Sequence, residues 1–74
     1  MNRQLLLRNM MTKSYFNFFS EVSKELDMPY VSFMQCLKVR GFSLINCIKL
    51  KSIFGDDLNM DHFLSKAAKK EFNN

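Results

Sequence analysis

The side chains most capable of catalysis in this 74-residue chain are few and stand far apart. They are one histidine, two cysteines and three aspartates: His62, Cys36, Cys47, Asp56, Asp57 and Asp61. A lone histidine lacks the partner that activates a nucleophile, and its spacing from the cysteines does not match a zinc site. The aspartates lack the glycine and terminal glutamate of a calcium loop. The sequence also contains no glycine-rich loop of the kind that holds phosphates. We therefore expect no enzyme activity, no metal, no cofactor and no small-molecule ligand.

Length and composition indicate one small domain. Hydrophobic residues make up 47% of the chain and include eight phenylalanines, which is rich for so short a chain. The net charge is +4. An excess of this size does not by itself indicate a binding surface, because a soluble protein of this size often has one. Two cysteines within hydrophobic stretches are fewer than secreted domains of this size usually have, and no stretch has the apolar length of a membrane span. We therefore expect a cytoplasmic protein without membrane contact.

Local signals divide the chain into five short helices. Pro29 suits a first helical position, Gly41 and Gly55 suit C-terminal caps, and Ser43 and Asn59 suit N-caps. The predicted helices span residues 2–13, 18–27, 29–39, 43–54 and 60–72.

The first boundary can be drawn in two ways. On one continuous helix Phe16 would point away from the face that holds the other apolar residues. A break near residues 14–17, with Asn17 as the N-cap, lets Phe16 turn inward. We favour the break.

Residues 19–38 read FSEVSKELDMPYVSFMQCLK, which is two predicted helices around a turn. This segment resembles the helix-turn-helix of the phage-repressor superfamily, of the Cro and XRE type. In that family the two helices pack through a few fixed positions, which here hold Val22, Ser23, Leu26, Met28, Phe33 and Cys36. Asp27 stands where the family usually has a turn glycine, and Phe19 and Ser20 stand where it often has a polar residue that contacts a phosphate.

The resemblance continues along the chain. Residues 41–55, GFSLINCIKLKSIFG, are similar to the family's fourth helix, and residues 59–64, NMDHFL, resemble the start of its fifth. The resemblance implies an all-α, five-short-helix, lambda-repressor-like helix-turn-helix domain over residues 1–74.

The helix predicted over residues 29–39 has an inner and an outer face. At helical spacing, Phe33, Cys36 and Leu37 share the inner face. The outer face, which would meet a DNA major groove, holds Val31, Met34, Gln35 and Lys38. Gln35 can form a bidentate pair with adenine, and Val31 or Met34 can contact a thymine methyl group.

Phosphate contacts are expected beside this face. Lys38 and Arg40 suit phosphates, as do the backbone N–H groups at the helix start after Ser43, where the helix dipole favours an anion.

The same outer face also suits a protein partner. Tyr30, Val31 and Met34 form an apolar cluster, and no arginine is present there to read guanine. The alternative is therefore a small protein of the phage or mobile-element type that uses this fold to bind and inhibit a host protein.

The sequence thus predicts a sequence-specific regulator that binds duplex DNA and represses transcription by occupying its operator. Because the helix at 43–54 is apolar nearly all round, we also expect a homodimer or a bound partner.

Overall fold

The computed structural model describes residues 2–73 and places most of them in short helices. No strand occurs within that range, which confirms the all-α prediction, and no helix in it is long and apolar enough to cross a membrane. The six α-helices are α1 (Arg3–Met11), α2 (Phe19–Glu25), α3 (Tyr30–Gln35), α4 (Leu44–Phe54), α5 (Met60–Phe63) and α6 (Lys66–Asn73). A π turn (Cys36–Arg40) extends α3, and a 3-10 turn (Gly55–Asp57) extends α4.

Two helices start where the sequence predicts. The Ser43 Oγ accepts a hydrogen bond from the Asn46 N–H (3.2 Å) and begins α4. The Asn59 Oδ1 accepts one from the Asp61 N–H (3.0 Å) and begins α5. Each bond satisfies an amide that has no partner inside its own helix, so both predicted N-caps are confirmed.

The break between the first two helices is confirmed, but the N-cap predicted at Asn17 is wrong. The Glu21 carboxylate accepts the backbone N–H groups of Asn17 (2.8 Å) and Phe18 (2.9 Å). The N-cap of α2 is therefore Phe18, one residue after the predicted Asn17. Because the chain leaves the helix here, Phe16 turns inward, and its ring centroid lies 6.0 Å from that of Phe54.

The single helix predicted over residues 60–72 is wrong, because the chain leaves the helix between α5 and α6. The Phe42 N–H donates to the Phe63 carbonyl (2.7 Å), and the Ser65 N–H donates to the Phe42 carbonyl (2.9 Å). These two bonds form a short parallel bridge that holds Leu64 in extended geometry. Within residues 2–73 there are therefore six α-helices where the sequence predicts five.

A row of four phenylalanines forms the centre of the core. Their ring centroids follow one another at 6.3, 5.6 and 6.3 Å, with tilted planes, in the order Phe19, Phe33, Phe42 and Phe63. Tilted contacts at these distances are the geometry that aromatic rings prefer. The rings come from α2, from α3, from the segment that precedes α4, and from α5. The row therefore joins four parts of the chain.

At Gly41 two backbone segments approach too closely for a side chain. Gly41 has a φ of +77°, and a Cβ there would lie 2.8 Å from the Cα and N of Ser65. Gly55 has a similar φ of +69°, but the space around it is open. Both predicted glycine caps are confirmed, and only Gly41 is also required by packing.

We expect Gly41→Ala to destabilise the domain far more than Gly55→Ala. Gly55→Ala should cost only the backbone strain, about 1–3 kcal/mol. Gly41→Ala adds an overlap with rigid backbone, which raises the loss by about a further 1–3 kcal/mol. Urea unfolding of both variants and the parent measures the difference, and equal losses would contradict the close contact with Ser65.

Candidate nucleic-acid interface

The packing of α2 against α3 decides which side of α3 faces outward. Val22 and Leu26 are buried on one side of the contact, and Phe33 and Leu37 are buried on the other. Ser23, the small residue that the resemblance places at the approach of the two helices, is buried, at 2% exposed. Because the inner face of α3 is committed to the core, its opposite face lies at the surface.

The turn between α2 and α3 is closed by backbone hydrogen bonds. The Asp27 N–H donates to the Lys24 carbonyl (3.0 Å), and the Met28 N–H donates to the Ser23 carbonyl (2.9 Å). Asp27 has a φ of +55°, in the left-handed region that aspartate tolerates better than most residues. Pro29 is the N-cap of α3, so the helix begins at Tyr30 and the prediction of Pro29 as the first helical residue is wrong by one position.

Most of the residues predicted to make contacts are exposed. The exposed ones are Tyr30, Val31, Gln35, Lys38, Arg40 and Ser43. Met34 is instead half-buried and packs against the core, so only part of its side chain reaches the outer face. Val31 is the most open of the apolar residues on this face, at 69% exposed, and Tyr30 is 49% exposed.

Of the helix predicted over residues 29–39, only the six residues Tyr30–Gln35 form a regular α-helix. After these, the chain widens into the π turn, in which the Gly41 N–H donates to the carbonyl five residues earlier (2.9 Å). The turn carries Lys38, Val39 and Arg40, all of them exposed. Regular helical spacing gave no signal for Val39, which is 77% exposed.

Arg3, from the first turn of α1, lies beside the two cations of the π turn. Its Nη1 donates to the Leu37 carbonyl (3.3 Å). Arg3 lines one shallow depression with Lys38 and an adjoining one with Arg40, and no carboxylate of residues 2–73 lines either of them. Sequence reasoning missed this residue, because nothing local links the start of the chain to the end of α3.

These cations have no acidic partner in the described part of the chain. The ion pair found there joins Lys51 Nζ to an Asp56 carboxylate oxygen, 3.8 Å apart, in another region. The exposed carboxylate of Asp27 precedes α3, whereas Lys38 and Arg40 follow it. The positive charge at the C-terminal end of α3 is therefore available to an external anion.

Both cysteine thiols are weaker acids in this fold than an ordinary cysteine thiol. Burial raises the pKa of Cys36, although the guanidinium groups of Arg40 and Arg3 oppose that rise. Burial also raises the pKa of Cys47 to about 11, and its side chain is fully buried. Both thiols are thus protonated at neutral pH. Among residues 2–73 no three His, Cys, Asp or Glu side chains meet as a metal site would need.

A second exposed surface lies at the start of α2. Phe18 and Tyr30 line one shallow depression together with Arg8, and Phe18 is 68% exposed. The Arg8 guanidinium lies 4.9 Å from the ring centroid of Phe19, a cation–π distance. Phe18 and Tyr30 thus expose aromatic side chains at the N-terminal end of α3, and Val31, the residue after Tyr30, is also exposed.

Comparisons with known protein families, with curated proteins and with solved structures found no match. The function is therefore proposed from the chemistry of the site and from the resemblance of residues 19–38 described above.

We expect Cys36 to react with a thiol reagent more slowly than free cysteine at pH 7.5, because its raised pKa leaves little thiolate. The rate should rise with pH, and Arg40→Gln should slow it further by removing a charge that favours the thiolate. Labelling followed by mass spectrometry measures each cysteine, with the denatured chain as control. Rapid labelling of Cys36 at neutral pH, or a faster rate in Arg40→Gln, would contradict this account.

Proposed function

We propose that the chain binds duplex DNA through α3 and represses transcription by occupying its operator. The observation that carries the proposal is the outer face of α3, where the exposed side chains of Val31 and Gln35 stand before the cations Lys38 and Arg40. The resemblance of residues 19–38 to Cro and XRE repressors supports the same assignment, since the second helix of that motif enters the major groove.

The dimensions of α3 suit the groove. An α-helix with its side chains is about 10–12 Å across, which the roughly 12 Å width of the major groove admits. Val31 and Gln35 are four residues apart and so lie in line along one side of the helix. The Gln35 amide would pair with an adenine edge, and Val31 would contact a thymine methyl group.

Backbone phosphates would be held on two sides of α3. Lys38 and Arg40 lie just past its C-terminal end, on the π turn. At the start of α4, the Ser43 Oγ satisfies the Asn46 amide, which leaves the amides of Leu44 and Ile45 in the first turn for an anion. Such contacts fix the register of the protein on DNA and do not depend on sequence.

A homodimer on a twofold site is part of the proposal. Ile45 and Ile48 stand one turn apart on α4 and are 67% and 54% exposed. These two exposed apolar side chains would form the surface that a second copy of the chain covers in the dimer.

Substitution of the groove-facing polar residues should separate affinity from specificity. Lys38→Ala should weaken binding to all duplexes and lower the salt slope of binding by about one. Gln35→Ala should change the preferred base at one position of a selected site, at a cost of about 1–3 kcal/mol. Fluorescence anisotropy in about 50 mM and 200 mM salt measures both effects.

The matched control is Lys13→Ala, an exposed cation that follows the C-terminal end of α1, the end opposite Arg3. Lys13 lines a depression with Asn59 and His62 in which no residue of α3 takes part, so the substitution should leave the salt slope nearly unchanged. If Lys13→Ala and Lys38→Ala lowered the slope equally, binding would be diffuse and the proposed orientation of α3 would be wrong.

A protein-binding function is the second candidate, favoured by the exposed Phe18, Tyr30 and Val31 near the start of α3. As a small phage- or mobile-element-type inhibitor, the chain would mask a working surface of a host protein. This candidate predicts no duplex binding even in about 50 mM salt. It also predicts a partner whose binding is lost in Tyr30→Ala with Val31→Ala but kept in Lys38→Ala.

A further inference from the structure

Four cationic side chains surround one shallow depression at the start of α6. They come from α1, from the π turn and from α6 itself: Arg3, Arg40, Lys66 and Lys69. The depression is lined by no aspartate or glutamate, and none of the four cations forms an ion pair within residues 2–73. Four like charges brought together in this way repel one another, and a bound anion would relieve that repulsion.

Arg3 retains unused hydrogen-bond donors at this place. Its Nε is buried and has no hydrogen-bond partner in the described part of the chain. Its Nη1 makes a long bond of 3.3 Å to the Leu37 carbonyl, and a guanidinium carries five N–H donors in all. Because the Nε itself is buried, an external acceptor would meet the Nη groups, which make no other hydrogen bond within residues 2–73.

The first turn of α6 supplies backbone donors to the same depression. The Ser65 Oγ accepts from the Ala68 N–H (3.1 Å), which satisfies the third amide of the helix. The amides of Lys66 and Ala67 come before it in the first turn and cannot bond within the helix, and both residues line the depression. Because the Ser65 N–H is bonded to Phe42, the helix start is held in place before any ligand arrives.

We propose that this basic depression binds one phosphate group of the DNA backbone, as a contact in addition to those that Gln35 and Lys38 make on the outer face of α3. The phosphate oxygens accept hydrogen bonds from the amides of Lys66 and Ala67 and from the guanidinium of Arg3, while Arg40 and Lys69 neutralise the charge. The source of the phosphate rests on the proposed function, but the affinity for a phosphate group does not.

The first arm of the test uses inorganic phosphate and the full chain. Addition of phosphate at constant ionic strength should shift the amide NMR signals of Lys66 and Ala67 along a saturating curve. In Lys66→Gln with Lys69→Gln the shifts should fall at least several-fold. In the charge-matched control, Lys13→Gln with Lys49→Gln, they should persist, because Lys13 and Lys49, the latter on α4, are exposed and neither lines the depression. Shifts of similar size at every cationic residue, or unchanged shifts in the first pair, would overturn the proposal.

The second arm measures binding to random-sequence duplex DNA in about 50 mM and 200 mM salt. Loss of one phosphate contact in Lys66→Gln with Lys69→Gln should lower the salt slope by about one relative to the control pair. A slope equal to that of the control would mean that the depression does not meet the DNA backbone.

The two arms separate failure of the site from failure of the proposed function. One outcome is that phosphate shifts the amide signals of Lys66 and Ala67 while neither the parent nor any variant binds duplex DNA. The site would then bind free phosphate, and the proposal of DNA binding would be wrong. If DNA binds and neither the NMR shifts nor the slope responds to the substitutions at Lys66 and Lys69, DNA binding stands and the phosphate site is wrong.

Discussion

The two backbone hydrogen bonds between Phe42 and the segment from Phe63 to Ser65 join the first four helices to the last two. They end α5, set the start of α6 and bring the π turn beside both. The bonds are possible only because Gly41 has no side chain, since a Cβ there would meet the Ser65 backbone at 2.8 Å. The positions of the cations in the basic depression depend on this contact, although none of them takes part in it.

The parts of the fold that could be predicted are those encoded within a few residues. The caps at Ser43, Asn59, Gly41 and Gly55 are local, because each side chain or φ acts on the same turn of the chain. The division of residues 60–72 into two helices was not predictable, because its cause is a pairing with Phe42, far away in the sequence. The sequence there favours a continuous helix, and tertiary hydrogen bonds override that preference.

The candidate site divides in the same way. The outer face of α3 follows from helical spacing, because Phe33 and Leu37 fix the inner face and leave Val31 and Gln35 outside. Met34 departs from this expectation and packs partly against the core. The proximity of Arg3 to the end of α3 is set only when α1 docks, so no local pattern reports it. No local pattern predicts the π turn either, in which the Gly41 N–H bonds to the carbonyl five residues earlier.

The row of aromatic rings has a consequence for how this chain could change over time. Phe33 anchors α3 from within, at the middle of the row, whereas Val31 and Gln35 project outward and belong to no part of the core. Replacement of the outward residues therefore costs the scaffold little, because surface changes usually alter stability by less than about 0.5 kcal/mol. Such a domain can acquire new target preferences by drift or by library selection while its architecture stays the same.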